Sequence, residues 1–339
     1  MAKKQVEELL VRLLRDPPAR REVTKESLWW FLHVFLGHYL EHKLAPFQEE
    51  MIHIAEEERY ALVAIMAFRG SGKSTILNLG YPIWSVLGRQ QKKCVITISN
   101  SQEQARNHFS NIKRELESND LLKHDLGPFR QEETPWGAYS LELEHYGAKI
   151  ISVSRGQSIR GMRHSEHRPD LMILDDVEDT NPESGVEREN LYAWYMNEVV
   201  PAGSKETRYV VLGNLTREDS LLMRLRADIQ ERTTKSAVFR AYPLLDARQK
   251  PLWRDKFRVG GTLEEVRRSV HAETWRREYL LRIVPEMTIV LDEPGEDGKE
   301  LDDPSLPRKQ RPLVATMKNF SIRAPKIRTT GVLRYKRNN

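Results

Sequence analysis

The chain has 339 residues and one cysteine, and its 54 Lys plus Arg against 49 Asp plus Glu give a formal net charge of +5. That length suits one large α/β domain or two modest ones, and 39% hydrophobic residues with seven Trp, eleven Tyr and nine Phe exclude a chain disordered throughout. The single thiol, Cys94 in the apolar run KKCVITIS, excludes a disulfide framework within the chain and a multi-cysteine zinc site.

The opening MAKKQVEELLVRLL carries Glu and Arg inside its apolar stretch, so it fits an amphipathic helix better than a signal peptide, with a stop at Pro17-Pro18. A second helical pattern runs from about Thr24, the expected N-cap, to His42. Its most apolar part, Leu28 to Leu40, is broken by His33 and His38 and falls short of the roughly 20 residues that span a bilayer. The chain is therefore expected to be soluble and intracellular, with no membrane partner. Pro46 opens a third helix with an apolar face of Phe47, Met51, Ile52 and Ile54.

From residue 61 the pattern alternates. Apolar runs at Ala61–Met66, Cys94–Ile98, Lys149–Val153, Leu171–Leu174 and Tyr209–Leu212 have strand length and β-branched content, with helical periodicity between most of them. Such alternation predicts an α/β fold, a mostly parallel sheet flanked by helices and preceded by a helical N-terminal region. Residues 243–262 read as a linker or small subdomain, Glu264 to Ile283 as a helix, and EPGEDGKELDDPSLP as a poorly ordered acidic run. The expected division is 1–58 helical region, 59–245 core, 246–290 linker with a small helical subdomain, and 291–339 an acidic then basic tail. No acid follows Asp303, whereas ten basic residues do, so the first 303 residues carry 44 bases against 49 acids and the tail +10.

The strongest motif is Ala67-Phe68-Arg69-Gly70-Ser71-Gly72-Lys73-Ser74-Thr75, between a strand and a helical pattern. It departs from the phosphate-loop pattern only in having Ala67 for the first Gly. Gly70 and Gly72 let backbone N–H groups turn toward phosphate oxygens, and the following helix directs its positive end at them. Lys73 suits the β- and γ-phosphates of ATP, and Ser74 a Mg²⁺ ion. A second segment, LMILDDVED, is an apolar strand ending in four acids. Asp175 at its end suits the Mg²⁺ shell, and Asp176 and Glu178 compete for activating water, with Glu178 slightly favoured for its longer side chain.

Three accessory segments leave alternatives open. Ser158–Arg163 places Arg160 and Arg163 upstream of the acidic strand, where an arginine either neutralises charge on a γ-phosphoryl group or serves in salt bridges or DNA phosphate contacts. Gly213-Asn214-Leu215-Thr216 either senses the γ-phosphate or is an ordinary turn. Phe47-Gln48 either holds an adenine, by an aromatic contact and an amide, or belongs to the core.

Taken together, AFRGSGKST, SRGQSIRGMRHSEHRPDLMILDDVED and VVLGNLTREDSLLMRL resemble the ATPase motor of the large terminase subunit of tailed bacteriophages, a P-loop NTPase core, over roughly residues 30–285. The resemblance implies an ATP-driven motor that pushes double-stranded DNA through a portal into a procapsid, as a homo-oligomeric ring with a small terminase subunit, in the cytoplasm of an infected bacterial host. It places Phe47 and Gln48 in the adenine segment, Arg69 to Thr75 in the phosphate loop, Asp175 with Asp176 or Glu178 at the acidic strand end, and Asn214 and Thr216 in the coupling segment. Arg160, then Arg163, match an arginine finger. Large terminases continue into a nuclease domain for which the residues after 285 are too few, so no nuclease activity is expected from this chain; a separately encoded nuclease, an interrupted gene or a trimmed chain would each explain that. The basic tail, interleaved with Phe320 and Tyr335, suits DNA phosphates or an acidic partner. Other readings of the same motifs are a different nucleic-acid translocase or helicase, and a non-catalytic nucleotide-binding assembly factor.

Overall fold

The computed structural model describes residues 11–283 apart from 12, 14, 131–135, 179–184 and 233–235. The first ten residues, the acidic run and the basic tail therefore lie outside the described residues.

Helix α1, Pro17–Glu26, starts where Asp16 accepts the Ala19 N–H at 3.2 Å and Pro17 occupies the first helical position. Thr24 was expected to begin a helix, but it lies inside α1, fully buried, with its hydroxyl donating to the Arg20 carbonyl at 2.7 Å. The break comes three residues later. Ser27 is extended and caps α2, Leu28–Phe35, by accepting from Trp30 N–H, while Glu56 accepts the Leu28 and Trp29 N–H groups. These caps satisfy donors that a continuous helix from Thr24 to His42 would have left inside its own ladder. Helix α3, Pro46–Glu56, follows as expected, and buries Phe47, Met51, Ile52 and Ile54.

Six parallel strands and one antiparallel strand then form a single sheet: β1 Leu62–Ala67, β2 Cys94–Ser99, β3 Ser140–Leu143, β4 Ala148–Ser154, β5 Leu171–Asp175, β6 Arg208–Gly213 and β7 Ala237–Tyr242. Their order is β3-β4-β2-β5-β6-β1-β7, with β3 antiparallel to β4 at one edge. Successive residues point to opposite faces. In β1, Val63, Ile65 and Ala67 enter one core with α2 and α3, while Ala64 and Met66 enter the other. Both faces are covered, which is why these strands read as unbroken apolar runs. Helix α4, Tyr81–Leu87, follows a π-helical turn at Thr75–Gly80; α5 is Gln102–Ser118, α6 Asp120–Leu126, α7 Gly185–Trp194 and α8 Leu221–Arg232.

Residues 243–283 pack on the core. Leu244, Trp253, Phe257, Leu263, Trp275 and Tyr279 are buried in the same cluster as Phe47 and Phe68. The helix expected over Glu264 to Ile283 is interrupted: α9, Thr262–Ser269, ends at extended Val270, and a short helix α10, Ala272–Thr274, runs into a π-helical turn at Trp275–Tyr279. Among the described residues no helix is long and apolar enough to cross a membrane.

Candidate functional site

The parallel strands all end on one side of the sheet, where the candidate residues that follow β1, β5 and β6 collect, while Phe47 and Gln48 come from α3. The loop after β1 turns at Gly70 and Gly72, whose φ angles of 78° and 84° are left-handed. Gln48, at the third position of α3, ties this loop to the helical region: its carbonyl accepts the Ala45 N–H at 2.9 Å and its amide donates to the Ser71 carbonyl at 2.8 Å. On the solvent side, Lys256 donates to the Gly70 carbonyl at 2.9 Å and lies over the Trp253 ring. Arg69 pairs with the buried Glu278 at 2.8 Å, and its N–H donates to the Glu278 carbonyl at 3.0 Å.

Strand β6 lies between β1 and β5. The loop and the acidic strand end are thus one strand apart, and Lys73 bridges the interval to Asp176 at 2.8 Å. The chain leaves β5 through Asp176 at φ 47°, a left-handed turn that asparagine and aspartate tolerate better than most residues. Burial alone would lower the Lys73 pKa, but the charges of Asp176 and Asp175 outweigh it and hold the ammonium above its ordinary value. Asp175 is 1% exposed. Burial first and the Asp176 charge second push its carboxyl up, while Lys73, His108 and Ser74 pull the other way without reversing the shift.

Glu178 stands on the far side of the cleft. Its carboxylate accepts the Thr216 hydroxyl at 3.0 Å and the Leu221 N–H at the start of α8. Glu178 and Thr216 therefore meet directly, joining the acidic loop to the segment after β6. Together with Arg69, Gly70, Lys73, Asp176, Gly213 and Asn214 they line a cavity of about 440 Å³. Gln48, Gly72 and Thr75 line a smaller adjoining cavity of about 110 Å³ with Tyr39, Trp253 and Lys256. Phe47 is buried in an aromatic group with Phe68, Tyr242 and Trp253, with ring centroids 5.5, 5.5 and 6.4 Å away.

The two arginines upstream of β5 point elsewhere. Arg160 pairs with Glu198 at 3.0 Å and donates to the Asn197 carbonyl at 2.6 Å, and Arg163 donates to the Ser165 carbonyl at 2.7 Å. Neither lines the cavity.

Several site residues escaped sequence reasoning. Asn100 and Gln104, beyond β2, line the larger of the two cavities; Asn78 and His108 lie behind Asp175; Trp253 and Lys256 come from the segment read as a linker or small subdomain, and Glu278 from the helix expected after it. Only Asn78 left a signal, an amide in an otherwise apolar buried helix.

Buried oxygens without a hydrogen-bond partner gather at this strand end: Ser71 Oγ, Asn78 Oδ1, Asp175 Oδ1 and Asn214 Oδ1. Such atoms are costly unless a ligand or water meets them. Hydroxyl and carboxylate oxygens are also what a hard cation such as Mg²⁺ takes, and it needs only one or two of them because it keeps waters and phosphate oxygens in its shell. Ser74 and Asp175 fit that role.

No protein-family profile matches the chain, and no curated protein resembles it in sequence. Among solved structures it is similar to the large terminase of the HK97 bacteriophage, with 16% identity and a TM-score of 0.52 over 71% of this chain and 50% of that one. Looser likenesses are to the large terminase of a thermophilic bacteriophage in complex with ADP, at 10% identity and a TM-score of 0.47 over 70% and 53% of the two chains. An ATPase-domain variant of the Thermus phage P74-26 large terminase matches at 13% identity and a TM-score of 0.44 over 66% and 90%. The HK97 likeness shows a shared fold, the α/β terminase core expected from the motifs. The chain spans about half the length of that protein.

Proposed function

We propose that this chain is the ATP-hydrolysing motor of viral DNA packaging, translocating double-stranded DNA into a procapsid. The observation that carries the reading is the bridge from phosphate loop to acidic strand end, Lys73 to Asp176 at 2.8 Å, in the lining of a cavity of about 440 Å³. Lys73 and the loop N–H groups bind and orient the phosphates, and Arg69 adds positive charge at the γ end. Ser74 and Asp175 would hold Mg²⁺, which would supply charge neutralisation for the phosphates. Asp176 forms an ion pair with Lys73, and Glu178, oriented by the Thr216 hydroxyl and the Leu221 N–H, takes the role of orienting and deprotonating the attacking water. Thr216, bonded to Glu178, ties that step to β6 and α8. The base of the nucleotide sits in the smaller cavity beside Gln48 and Trp253.

The partners that follow are double-stranded DNA, a portal-bearing procapsid, a small terminase subunit and further copies of this chain in a ring. Arg160 and Arg163, turned away from their own cavity, would serve only a neighbouring copy. The test is Mg²⁺-dependent ATP hydrolysis with and without double-stranded DNA and portal-bearing procapsids. Stimulation by both is expected. Strand separation without any capsid would favour a helicase, and tight ATP binding without turnover under any stimulation a non-catalytic assembly factor.

A further inference from the structure

The helix that follows the phosphate loop carries Ser74 and, one turn on, Asn78. Its neighbours Ile76, Leu77, Leu79 and Gly80 are all buried, and Asn78 is itself 2% exposed. A buried amide in such a place is costly unless it is bonded, so its partners disclose its purpose. The amide nitrogen donates to Asp175 Oδ2 at 3.0 Å and lies 2.7 Å from His108 Nδ1 on α5, which also lies 3.3 Å from the Ser99 hydroxyl of β2. His108 stands 4.0 Å from Asp175 Oδ2, beyond hydrogen-bonding reach, so its hold on the carboxylate passes through Asn78.

We propose that Asn78 is a positioning residue for the metal-binding carboxylate: it fixes Asp175 by one oxygen, Oδ2, and reserves the other, Oδ1, for the magnesium shell, with His108 fixing Asn78 in turn. Two observations support this beyond the bond itself. Asp175 Oδ1 is buried and has no partner, although Oδ2 of the same group is bonded. Ser74 and Asn78 also belong to one helix, so the hydroxyl that would meet the metal and the amide that holds the carboxylate move as a unit with the phosphate loop. An apolar residue at 78 would leave the carboxylate free to rotate and present either oxygen.

This inference rests on the reading of Ser74 and Asp175 as the metal site, and its test separates the two. Mn²⁺, a spectroscopic substitute for Mg²⁺, is titrated by electron paramagnetic resonance into protein with ADP, and ADP affinity is measured separately in EDTA. Asn78→Leu, close in volume, is expected to weaken Mn²⁺ binding by roughly 10- to 100-fold, the usual effect of removing a partner of a metal ligand. Metal-free ADP affinity should stay within about twofold, because no phosphate contact is lost. His108→Ala, which leaves the phosphate-loop helix untouched, should move Mn²⁺ affinity the same way by a smaller factor, and it decides the matter should Asn78→Leu fail to fold.

Wild-type Mn²⁺ affinity in Asn78→Leu, or in His108→Ala where only that variant folds, would overturn the proposal. An equal loss of metal-free ADP affinity would do so too, by making Asn78 mere helix packing. Absence of Mn²⁺ binding in the wild-type protein would instead overturn the metal-site reading beneath it.

Discussion

Adding one methyl group at either of two glycines tests whether the phosphate loop is held as described. Gly70 and Gly72 are both left-handed, and an L-residue there costs about 1–2 kcal/mol. They differ in what a Cβ would meet. At Gly70 the nearest atom is Lys256 Nζ at 3.5 Å, an ordinary contact with the end of a flexible chain. At Gly72 it is Gln48 Nε2 at 2.8 Å, closer than a real Cβ sits to any atom. Gln48 is 1% exposed and its amide is bonded to the Ser71 carbonyl, so moving it breaks that bond inside the protein. A broken bond with buried ends adds about 1–3 kcal/mol. Gly70→Ala should therefore cost about 1–2 kcal/mol and Gly72→Ala about 2–5 kcal/mol. Urea unfolding in EDTA measures the cost, and any part the loop escapes by rearranging appears as weaker ADP binding, at about 1.4 kcal/mol per tenfold. In a Gln48→Ala background the Gly72→Ala penalty should shrink toward that of Gly70→Ala, a coupling that a double-mutant cycle isolates. Equal penalties at the two glycines, or no coupling to Gln48, would refute the reasoning.

Other expectations follow from the same contacts. Glu178→Gln keeps its bond to Thr216 but cannot take a proton, so single-turnover hydrolysis should fall roughly 10²- to 10⁴-fold while ADP affinity is kept. Arg160→Ala should leave ADP affinity of the isolated chain within about twofold, since Arg160 lies on Glu198 and Asn197 outside the cavity; a tenfold loss by titration would place it in its own site. Arg20 and Asp125 form a buried pair joining α1 to α6, with an Nη2 to Oδ1 bond of 2.8 Å. Burial alone would push the Asp125 carboxyl up, but hydrogen bonds from Arg20 and His124 carry it below its ordinary value of 3.8. A depressed carboxyl adds stability that is present above the unfolded pKa and is lost as pH falls through the folded one. Asp125→Asn should thus cost about 3–5 kcal/mol at neutral pH, by removing the charge that faces the buried Arg20 guanidinium, and the difference from wild type in urea unfolding should narrow below about pH 4.

The parts of the site that were legible in the sequence are local. Strand, loop and helix around Lys73 follow one another without a break from Leu62 to Leu87, the apolar run that ends in Asp175 is shorter still, and their chemistry follows from residue type and order. Two strands went unread for physical reasons: β3 is a four-residue edge strand, and β7, AVFRAY, is a half-buried edge whose Arg240 faces Glu50. Contacts between distant segments left little trace. Nothing near Glu278 announces that it meets Arg69, and the text around Trp253 reads as a linker because its buried residues follow no helical or strand period. Arg160 shows the converse, a residue of the right type and place in sequence whose side chain turns to Glu198. Thr24 shows that a good capping residue is overruled when one three positions on is better supplied with donors.

The central claim is that Lys73 and the acids after β5 form one ATP-hydrolysing site, and the most direct measurement is steady-state ATP hydrolysis by wild-type protein and Lys73→Ala, each with Mg²⁺ and with EDTA, in the presence of double-stranded DNA. Hydrolysis confined to wild-type protein with Mg²⁺ is the expected result; an undiminished rate in Lys73→Ala would contradict the account.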